Sequence, residues 1–303
     1  MKTIMNAGLL FAATVILLLT PQAAPGDELK LVIGSKGFTE QKILGHIMIA
    51  ILEKNGFQCV DKTGLGGTSV LREALLKRQI DICMEYTGTA LSVHLNIGES
   101  VTDPQQCYDR VKKEDLERHN LVWLPPLTFN NTYCLMMRRT ESEKLGIETL
   151  SDLSKYAYRH PAEFTFGLNA EFFTRVDGYP SLQHAYKLKF SRDSIIKMSI
   201  GLLYKALGED LLQVALGYAT DGRIKAYDLL PLEDDKHFFP PYNPAPVLHR
   251  DVVEKYPQLE EIFKRLVEKL DTDAMVELNY KVDIEGIPAR DVARRWLRRV
   301  GLL

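Results

Sequence analysis

A lysine stands just before the first amphipathic helix that the sequence predicts. Residues 29–34 alternate and end in glycine, and the apolar residues of 39–54 recur at helical spacing. Ser35-Lys36-Gly37-Phe38 therefore occupies the loop between a strand and a helix, and Thr39 is predicted to cap that helix. The free N–H groups of a helix N-terminus and a lysine ammonium both attract anions. The loop at Lys36 is thus a predicted place for a small anion.

A second group of polar and aromatic residues follows a predicted buried strand. Residues 80–86 form that strand, and Tyr86-Thr87-Gly88-Thr89 stands at its carboxyl end, where an open α/β sheet normally places its ligand. The preceding loop, Gly64-Leu65-Gly66-Gly67-Thr68, resembles a dinucleotide fingerprint only superficially, because GxGxxG is not completed. We therefore expect a ligand at this strand end but no nucleotide cofactor.

Catalytic and metal chemistry find little support in the sequence. Glu85, Asp177 and Asp221 are carboxylates near predicted loops, yet GxSxG, HExxH and P-loop motifs are absent and the seven histidines are scattered. No cysteine forms a CxxC or CxxH pair, so a zinc site is not expected. We predict that the chain is not an enzyme and holds no cofactor or metal, although catalysis is an alternative that recovery of an unchanged ligand would exclude.

The four cysteines allow two interpretations. Their number is even, so one or two disulfides are compatible with an oxidising compartment. Cys83 and Cys134 lie within apolar runs, which is equally typical of buried free thiols. The sequence assigns no pairing among Cys59, Cys83, Cys107 and Cys134.

The N-terminus has the order of a secretory signal peptide. Lys2 precedes an apolar run over residues 7–19, which small residues and then a polar segment follow. The run is shorter than the roughly 20 residues that span a bilayer, although an uncleaved anchor is the alternative. We expect residues 1–26 to be removed and the mature chain to be periplasmic. Lys and Arg, at 38, nearly balance Asp and Glu, at 40, and no run of basic residues with interleaved aromatics suggests a nucleic-acid surface, so no nucleic-acid partner is expected.

The order of elements predicts an α/β protein of two lobes joined by two crossings. Strands and helices alternate before residue 120 and again over 150–220, and 303 residues suit two compact units. Pro125-Pro126 marks the first crossing and the proline-rich stretch 238–246 marks the return. The helices that follow, ending with 289–299, are expected to pack back onto the first lobe. The predicted divisions are a signal peptide over 1–26, lobe I over 27–130 plus 240–303, and lobe II over 131–239.

Five motifs, in order along the chain, carry a family resemblance. They are Gly34–Gln41 (GSKGFTEQ), Glu85–Thr89 (EYTGT), Phe129–Tyr133 (FNNTY), Thr220–Ile224 (TDGRI) and Phe239–Tyr242 (FPPY). Together they resemble the glycine betaine/carnitine/choline-binding family of ABC transporters over nearly the whole chain after residue 29. The resemblance implies a type II periplasmic-binding-protein fold with two hinge crossings, in which two lobes close around a ligand. It also implies permease subunits in the inner membrane as partners.

The resemblance further implies which residues hold the ligand. A trimethylammonium group has no N–H, so aromatic faces rather than hydrogen bonds must attract it. By position in the matching motifs, the aromatic box consists of Tyr86, Tyr133, Tyr218 and Tyr242. Lys36 and Arg175 match residues that would hold a carboxylate. Further contacts are expected from Thr89 and Asn131, and from Asp177 paired with Arg175 across the closed cleft.

Several alternatives remain open from the sequence. Glycine betaine, choline, carnitine, proline betaine and ectoine all present a shielded cation, and only Lys36 and Arg175 favour a zwitterion. A ligand-sensing receptor of the same fold is the alternative to a transport receptor. We expect a monomer, and osmotic protection and nutrient uptake are equally compatible with the sequence.

Overall fold

The computed structural model describes residues 29–98, 101–160 and 163–303, and the predicted signal peptide lies outside the described residues. The chain forms two lobes, each built on a five-stranded sheet with helices packed around it. The α/β class and the two-lobed architecture predicted from the sequence are therefore confirmed.

The first lobe begins with alternating strands and helices and is completed by the C-terminal part of the chain. Its elements before the crossing are β1 (Lys30–Lys36), α1 (Thr39–Lys54), β2 (Gln58–Gly66), α2 (Thr68–Leu76), β3 (Ile82–Tyr86), α3 (Thr87–Thr89), α4 (Pro104–His119) and β4 (Leu121–Trp123). A single π-helical turn, Ala90–His94, continues α3. Every residue of β3 is buried, as expected for a central strand covered on both faces.

The second lobe repeats this plan within one continuous stretch of chain. Its elements are β5 (Tyr133–Arg138), α5 (Arg139–Leu145), α6 (Leu150–Arg159), β6 (Phe166–Leu168), α7 (Ala170–Thr174), α8 (Tyr179–Tyr186), β7 (Ile195–Lys197), α9 (Ile200–Gly208), β8 (Val214–Tyr218), α10 (Arg223–Ala226) and β9 (Leu229–Pro231). The sheet order is β7-β6-β8-β5-β9, in which β5 runs antiparallel to both neighbours.

The chain then returns to finish the first lobe. The returning elements are β10 (Pro244–His249), α11 (Arg250–Lys255), α12 (Gln258–Val267), α13 (Thr272–Asp283) and α14 (Ala289–Arg299). Strand β10 inserts between β3 and β4, antiparallel to both, in the order β2-β1-β3-β10-β4. The buried face of α14 packs with α1 and α12 in one apolar cluster, so the closing helices cover the first lobe as predicted.

The two crossings run side by side and are bonded to each other. Leu127 N donates to Pro244 O at 2.8 Å, and Asn131 N donates to Tyr242 O at 3.1 Å. The side chain of Asn243 donates to two carbonyls of the outgoing crossing, Leu127 O at 3.2 Å and Phe129 O at 2.9 Å. These two crossing segments form the hinge, and we retain the lobe boundaries predicted from the sequence as a proposal.

Several local predictions were wrong. Helix α1 has Phe38 rather than Thr39 in its cap position, and the Thr39 hydroxyl instead donates to Asp283 at 2.6 Å. Strand β2 runs to Gly66 and so includes most of the predicted glycine loop, because pairing with β1 continues through a register shift. The sequence also favoured an extended segment from Thr128 after Pro125-Pro126, but the strand there begins only at Tyr133.

All four cysteines are free thiols, and three of them are buried. Burial, the largest effect, raises the pKa of Cys59 to about 12 and that of Cys107 to about 11. In the described part of the chain, no helix has the length and apolar character needed to cross a bilayer.

Candidate functional site

A cavity of about 390 Å³ lies between the two lobes, beside the hinge. Eight of the nine site residues predicted from the sequence line it, and these are Lys36, Tyr86, Thr89, Asn131, Tyr133, Arg175, Tyr218 and Tyr242. The ninth, Asp177, lies behind Arg175 and Tyr242, and contacts both. Two other tyrosines near the site, Tyr179 and Tyr204, do not line the cavity; Tyr204 supports it by accepting a hydrogen bond from Tyr218 N at 2.7 Å.

Aromatic rings from both lobes form much of the cavity wall. Tyr133 and Tyr218 face each other across β5 and β8, with ring centroids 5.4 Å apart, and Tyr242 stands edge-on to Tyr133 at 5.5 Å. Phe38, which the sequence reading placed only in an anion-binding loop, lies 5.1 Å from Tyr218 and 6.3 Å from Tyr86. Five rings therefore share one cavity, a larger aromatic set than the four tyrosines predicted.

The phenol groups of these tyrosines are tied to charged neighbours. Tyr86 donates to Glu40 at 2.7 Å and Tyr242 donates to Asp177 at 3.2 Å. Tyr133 has the opposite arrangement, because its oxygen accepts from Arg175 Nη1 at 3.3 Å. Burial raises the pKa of Tyr86, Tyr133, Tyr218 and Tyr242 above the ordinary value of 10, so the rings remain neutral.

The basic side chains of the cavity already have acidic partners. Lys36 Nζ lies 2.6 Å from Glu85, whose other oxygen is 3.1 Å from His94 Nε2. Burial alone would raise the pKa of Glu85, but the Lys36 ammonium and His94 lower it to about 2. Burial lowers the pKa of His94, and contact with Glu85 opposes this decrease. The predicted anion site at Lys36 is therefore also half of a buried ion pair.

Arg175 and Arg223 each bind the carboxylate of an aspartate that lies two residues away in the sequence. Arg175 donates to both oxygens of Asp177, at 2.7 and 2.6 Å. This pair forms within one segment of the second lobe, so the expectation that it would span the cleft was wrong. Arg223 binds Asp221 in the same way, at 2.8 and 2.6 Å, and also reaches Asp283 of the first lobe at 3.2 Å.

Glu40 is the main residue that the sequence reading missed. It is 2% exposed, lies in the first turn of α1 and lines the cavity. Its Oε1 accepts from Tyr86 at 2.7 Å and Asn131 Nδ2 at 2.8 Å, while its Oε2 accepts from Thr220 at 2.5 Å and Asn279 Nδ2 at 3.2 Å. Burial raises the pKa of Glu40, and the four hydrogen bonds oppose this increase. In the sequence, an acid in a first helical turn is explained by the helix dipole alone, which conceals this role.

Close backbone contact also joins the lobes beside the cavity. Gly222, just before α10 of the second lobe, lies against Tyr280 of α13 in the first lobe, where a Cβ would come within 2.7 Å of the Tyr280 Cα. Asn279 of the same helix donates to Thr220 O at 3.0 Å. Only glycine permits this approach, which explains the glycine of the fourth motif. Within the described ranges, no cluster of three or more His, Cys, Asp or Glu residues could hold a metal ion.

Residues 30–299 match the family model described as the substrate-binding domain of an ABC-type glycine betaine transport system. The chain is 42% identical over 276 residues to a glycine-betaine-binding protein of Pseudomonas aeruginosa, covering 89% of this chain and 88% of that one. It is 35% identical to an ergothioneine transport permease/ergothioneine binding protein of Helicobacter pylori, covering 91% of this chain and 48% of that longer protein.

A solved structure described as a glycine betaine/carnitine/choline ABC transporter superposes with a TM-score of 0.74 at 30% identity, covering 90% of this chain and 99% of that one. Together with the two sheets and two crossings, this similarity confirms the type II periplasmic-binding-protein fold that the motifs implied.

Proposed function

This chain belongs to the family of substrate-binding domains of ABC-type glycine betaine transport systems, and from that premise we propose that its aromatic cavity captures a quaternary-ammonium solute. It is a substrate-binding protein of a betaine- or carnitine-type transporter rather than an enzyme. The observation that carries the ligand proposal is the convergence of five aromatic rings from both lobes on one cavity.

The chemistry of the ligand explains why rings are needed. A quaternary ammonium carries a full charge but no N–H, so it cannot donate a hydrogen bond and loses hydration when it is buried. The electron-rich face of an aromatic ring supplies attraction worth about 2 kcal/mol when the contact is desolvated. Tyr133 and Tyr218 belong to the second lobe and Tyr86 to the first, so bringing the lobes together completes the cage. Ligand binding and lobe closure would therefore support each other.

The other end of the ligand would meet polar groups. Arg175 is 8% exposed and lies at the cavity wall. Its guanidinium, which already binds Asp177, can also donate hydrogen bonds to a carboxylate of the ligand. Lys36 lies on the first lobe, with Thr89 and Asn131 available as hydrogen-bonding neighbours. We propose these four residues as the polar contacts. Because Lys36 and Arg175 are each already paired with a carboxylate of the protein, both cations and zwitterions are candidate ligands.

The cellular setting follows from the same proposal. A signal peptide over residues 1–26 would direct export, and the mature protein would act as a periplasmic monomer. It would deliver its ligand to the permease subunits of an ABC importer in the inner membrane. Recovery of the mature chain from a periplasmic extract, with its N-terminus near residue 27, would test this part.

Isothermal titration of residues 27–303 tests the ligand proposal directly. Glycine betaine, choline, carnitine and ergothioneine would be titrated into the wild-type chain, into Tyr133→Leu and into Tyr158→Leu. Tyr158 is a matched control because its ring is 64% exposed and outside the cavity lining. We expect micromolar binding of at least one compound, lost in Tyr133→Leu and kept in Tyr158→Leu. Absence of binding by every compound would refute the proposal.

A further inference from the structure

Glu40 is a buried carboxylate without a basic partner. Its four hydrogen-bond donors, from Tyr86, Asn131, Thr220 and Asn279, are all neutral. Among the residues described by the structure, none of the ion pairs involves Glu40. Burying an ionised group without a compensating charge carries a large desolvation penalty, so the presence of Glu40 here calls for an explanation.

The other charges around the cavity do not supply that compensation. Lys36 is paired with Glu85, Arg175 with Asp177 and Arg223 with Asp221. Each basic side chain lining the cavity is thus matched by a carboxylate that is not Glu40. Glu40 therefore adds a negative charge that none of these three basic side chains offsets.

The donors around Glu40 fit an ionised carboxylate. Asn279 Nδ2 bonds both Glu40 Oε2 and the Thr220 carbonyl oxygen, so its amide nitrogen must face these two acceptors. Asn131 likewise presents its amide nitrogen to Oε1. Each carboxylate oxygen thus faces a group that can only donate. Burial raises the pKa of Glu40, and a cation bound nearby would lower it.

We propose that Glu40 is the counter-charge for the cation of the ligand, acting in part through the ring of Tyr86. This inference rests on the proposed function. A phenol that donates to a carboxylate is polarised, so its oxygen and ring become more electron-rich. Tyr86 would then attract a cation more strongly than an isolated tyrosine. Tyr133, whose oxygen accepts from Arg175, is polarised in the opposite sense, so its ring would attract the cation less strongly than that of Tyr86.

The role of Glu40 is tested by measuring charge preference rather than affinity alone. Choline and 3,3-dimethyl-1-butanol have nearly the same shape, but the second carries carbon in place of the charged nitrogen. The dissociation constant of the neutral alcohol divided by that of choline measures how much the positive charge favours binding. We call this quotient the ratio. We expect Glu40→Gln, which keeps the size of the side chain, to reduce this ratio at least fivefold relative to wild type.

A matched control is Glu73→Gln. Glu73, in α2 of the first lobe, is outside the cavity lining, and its side chain is 58% exposed and lies 2.8 Å from Lys77, so solvent and an ion pair screen its charge. We expect its ratio to stay within threefold of wild type. If Glu40→Gln does not fold, Glu40→Asp replaces it, and its charge should keep the ratio within threefold.

The outcomes separate the inference from the function on which it rests. A ratio reduced less than fivefold in folded Glu40→Gln overturns the counter-charge role while leaving the proposed function in place. Wild-type protein that binds the neutral alcohol as tightly as choline overturns it as well, without any variant. If the ratio of Glu40→Asp falls more than threefold below that of wild type, the counter-charge role is overturned too. Wild-type protein that binds no quaternary-ammonium compound overturns the proposed function itself.

Discussion

Replacing Tyr218 by leucine removes one aromatic face of the cavity while keeping most of the apolar volume. The ring lies at the end of β8, 5.4 Å from Tyr133 and 5.1 Å from Phe38, and is partly buried. Loss of a desolvated cation–π contact costs about 1–2 kcal/mol. Since about 1.4 kcal/mol corresponds to tenfold in affinity, we expect the dissociation constant of a quaternary-ammonium ligand to rise roughly 5- to 25-fold.

Tyr218→Phe is the companion variant, because it keeps the ring and removes only the hydroxyl. We expect its affinity to stay within about threefold of wild type, since phenylalanine retains a negative ring face. Titration calorimetry gives both constants, and thermal unfolding shows whether the variants remain folded. If Tyr218→Leu binds as tightly as Tyr218→Phe, the ring does not attract the ligand and the aromatic-cage reasoning is refuted.

Three further predictions follow from the charges and thiols of the structure. Arg175→Met should weaken glycine betaine at least tenfold more than choline, since only the former carries a carboxylate; equal losses in calorimetric titrations would contradict a carboxylate contact. Burial alone would raise the pKa of Glu85, but Lys36 lowers it from 4.5 to about 2. The ionised carboxylate therefore stabilises the fold above about pH 4.5, and this stabilisation is lost as pH falls toward 2. The melting-temperature gap between wild type and Glu85→Gln should therefore be widest near pH 7 and narrow below pH 4.5 in thermal melts; a constant gap would argue against the ion pair. Because the thiol pKa values are raised, a thiol reagent at pH 8 should modify almost no cysteine in the native protein and all four in denaturant. Rapid labelling of the native protein would contradict the burial of these thiols.

Short motifs predicted the cavity well because each lies where a strand ends or a crossing begins. Tyr86 is the last residue of the buried strand β3, and Tyr242 lies in the proline-rich return. Such positions can be identified from local sequence, since strand patterns and prolines fix the backbone near them. The topology then brings the ends together, which is why eight predicted residues line one cavity.

Partners across the fold could not be predicted in the same way. Glu40 is joined to Thr220 and Asn279, which lie far along the chain, and only tertiary packing brings them within hydrogen-bonding distance. Phe38 was similarly assigned to a loop, because nothing local shows that its ring meets Tyr218 of the other lobe. Lys36 was identified as a cation, but its pairing with Glu85 depends on the neighbouring strands β1 and β3.

The insertion of β10 between β3 and β4 has a consequence for how the chain folds. The strands of the second lobe all lie within residues 133–231, so that lobe can form from one contiguous segment with short loops to close. The first lobe must wait until Pro244 pairs with Tyr86, a contact of much greater sequence separation, and such contacts form slowly. Until then β3, which is wholly buried in the finished protein, presents an apolar strand edge that can pair wrongly. During synthesis the second lobe should therefore mature first, and truncation before residue 244 should leave it intact while the first lobe stays unfinished.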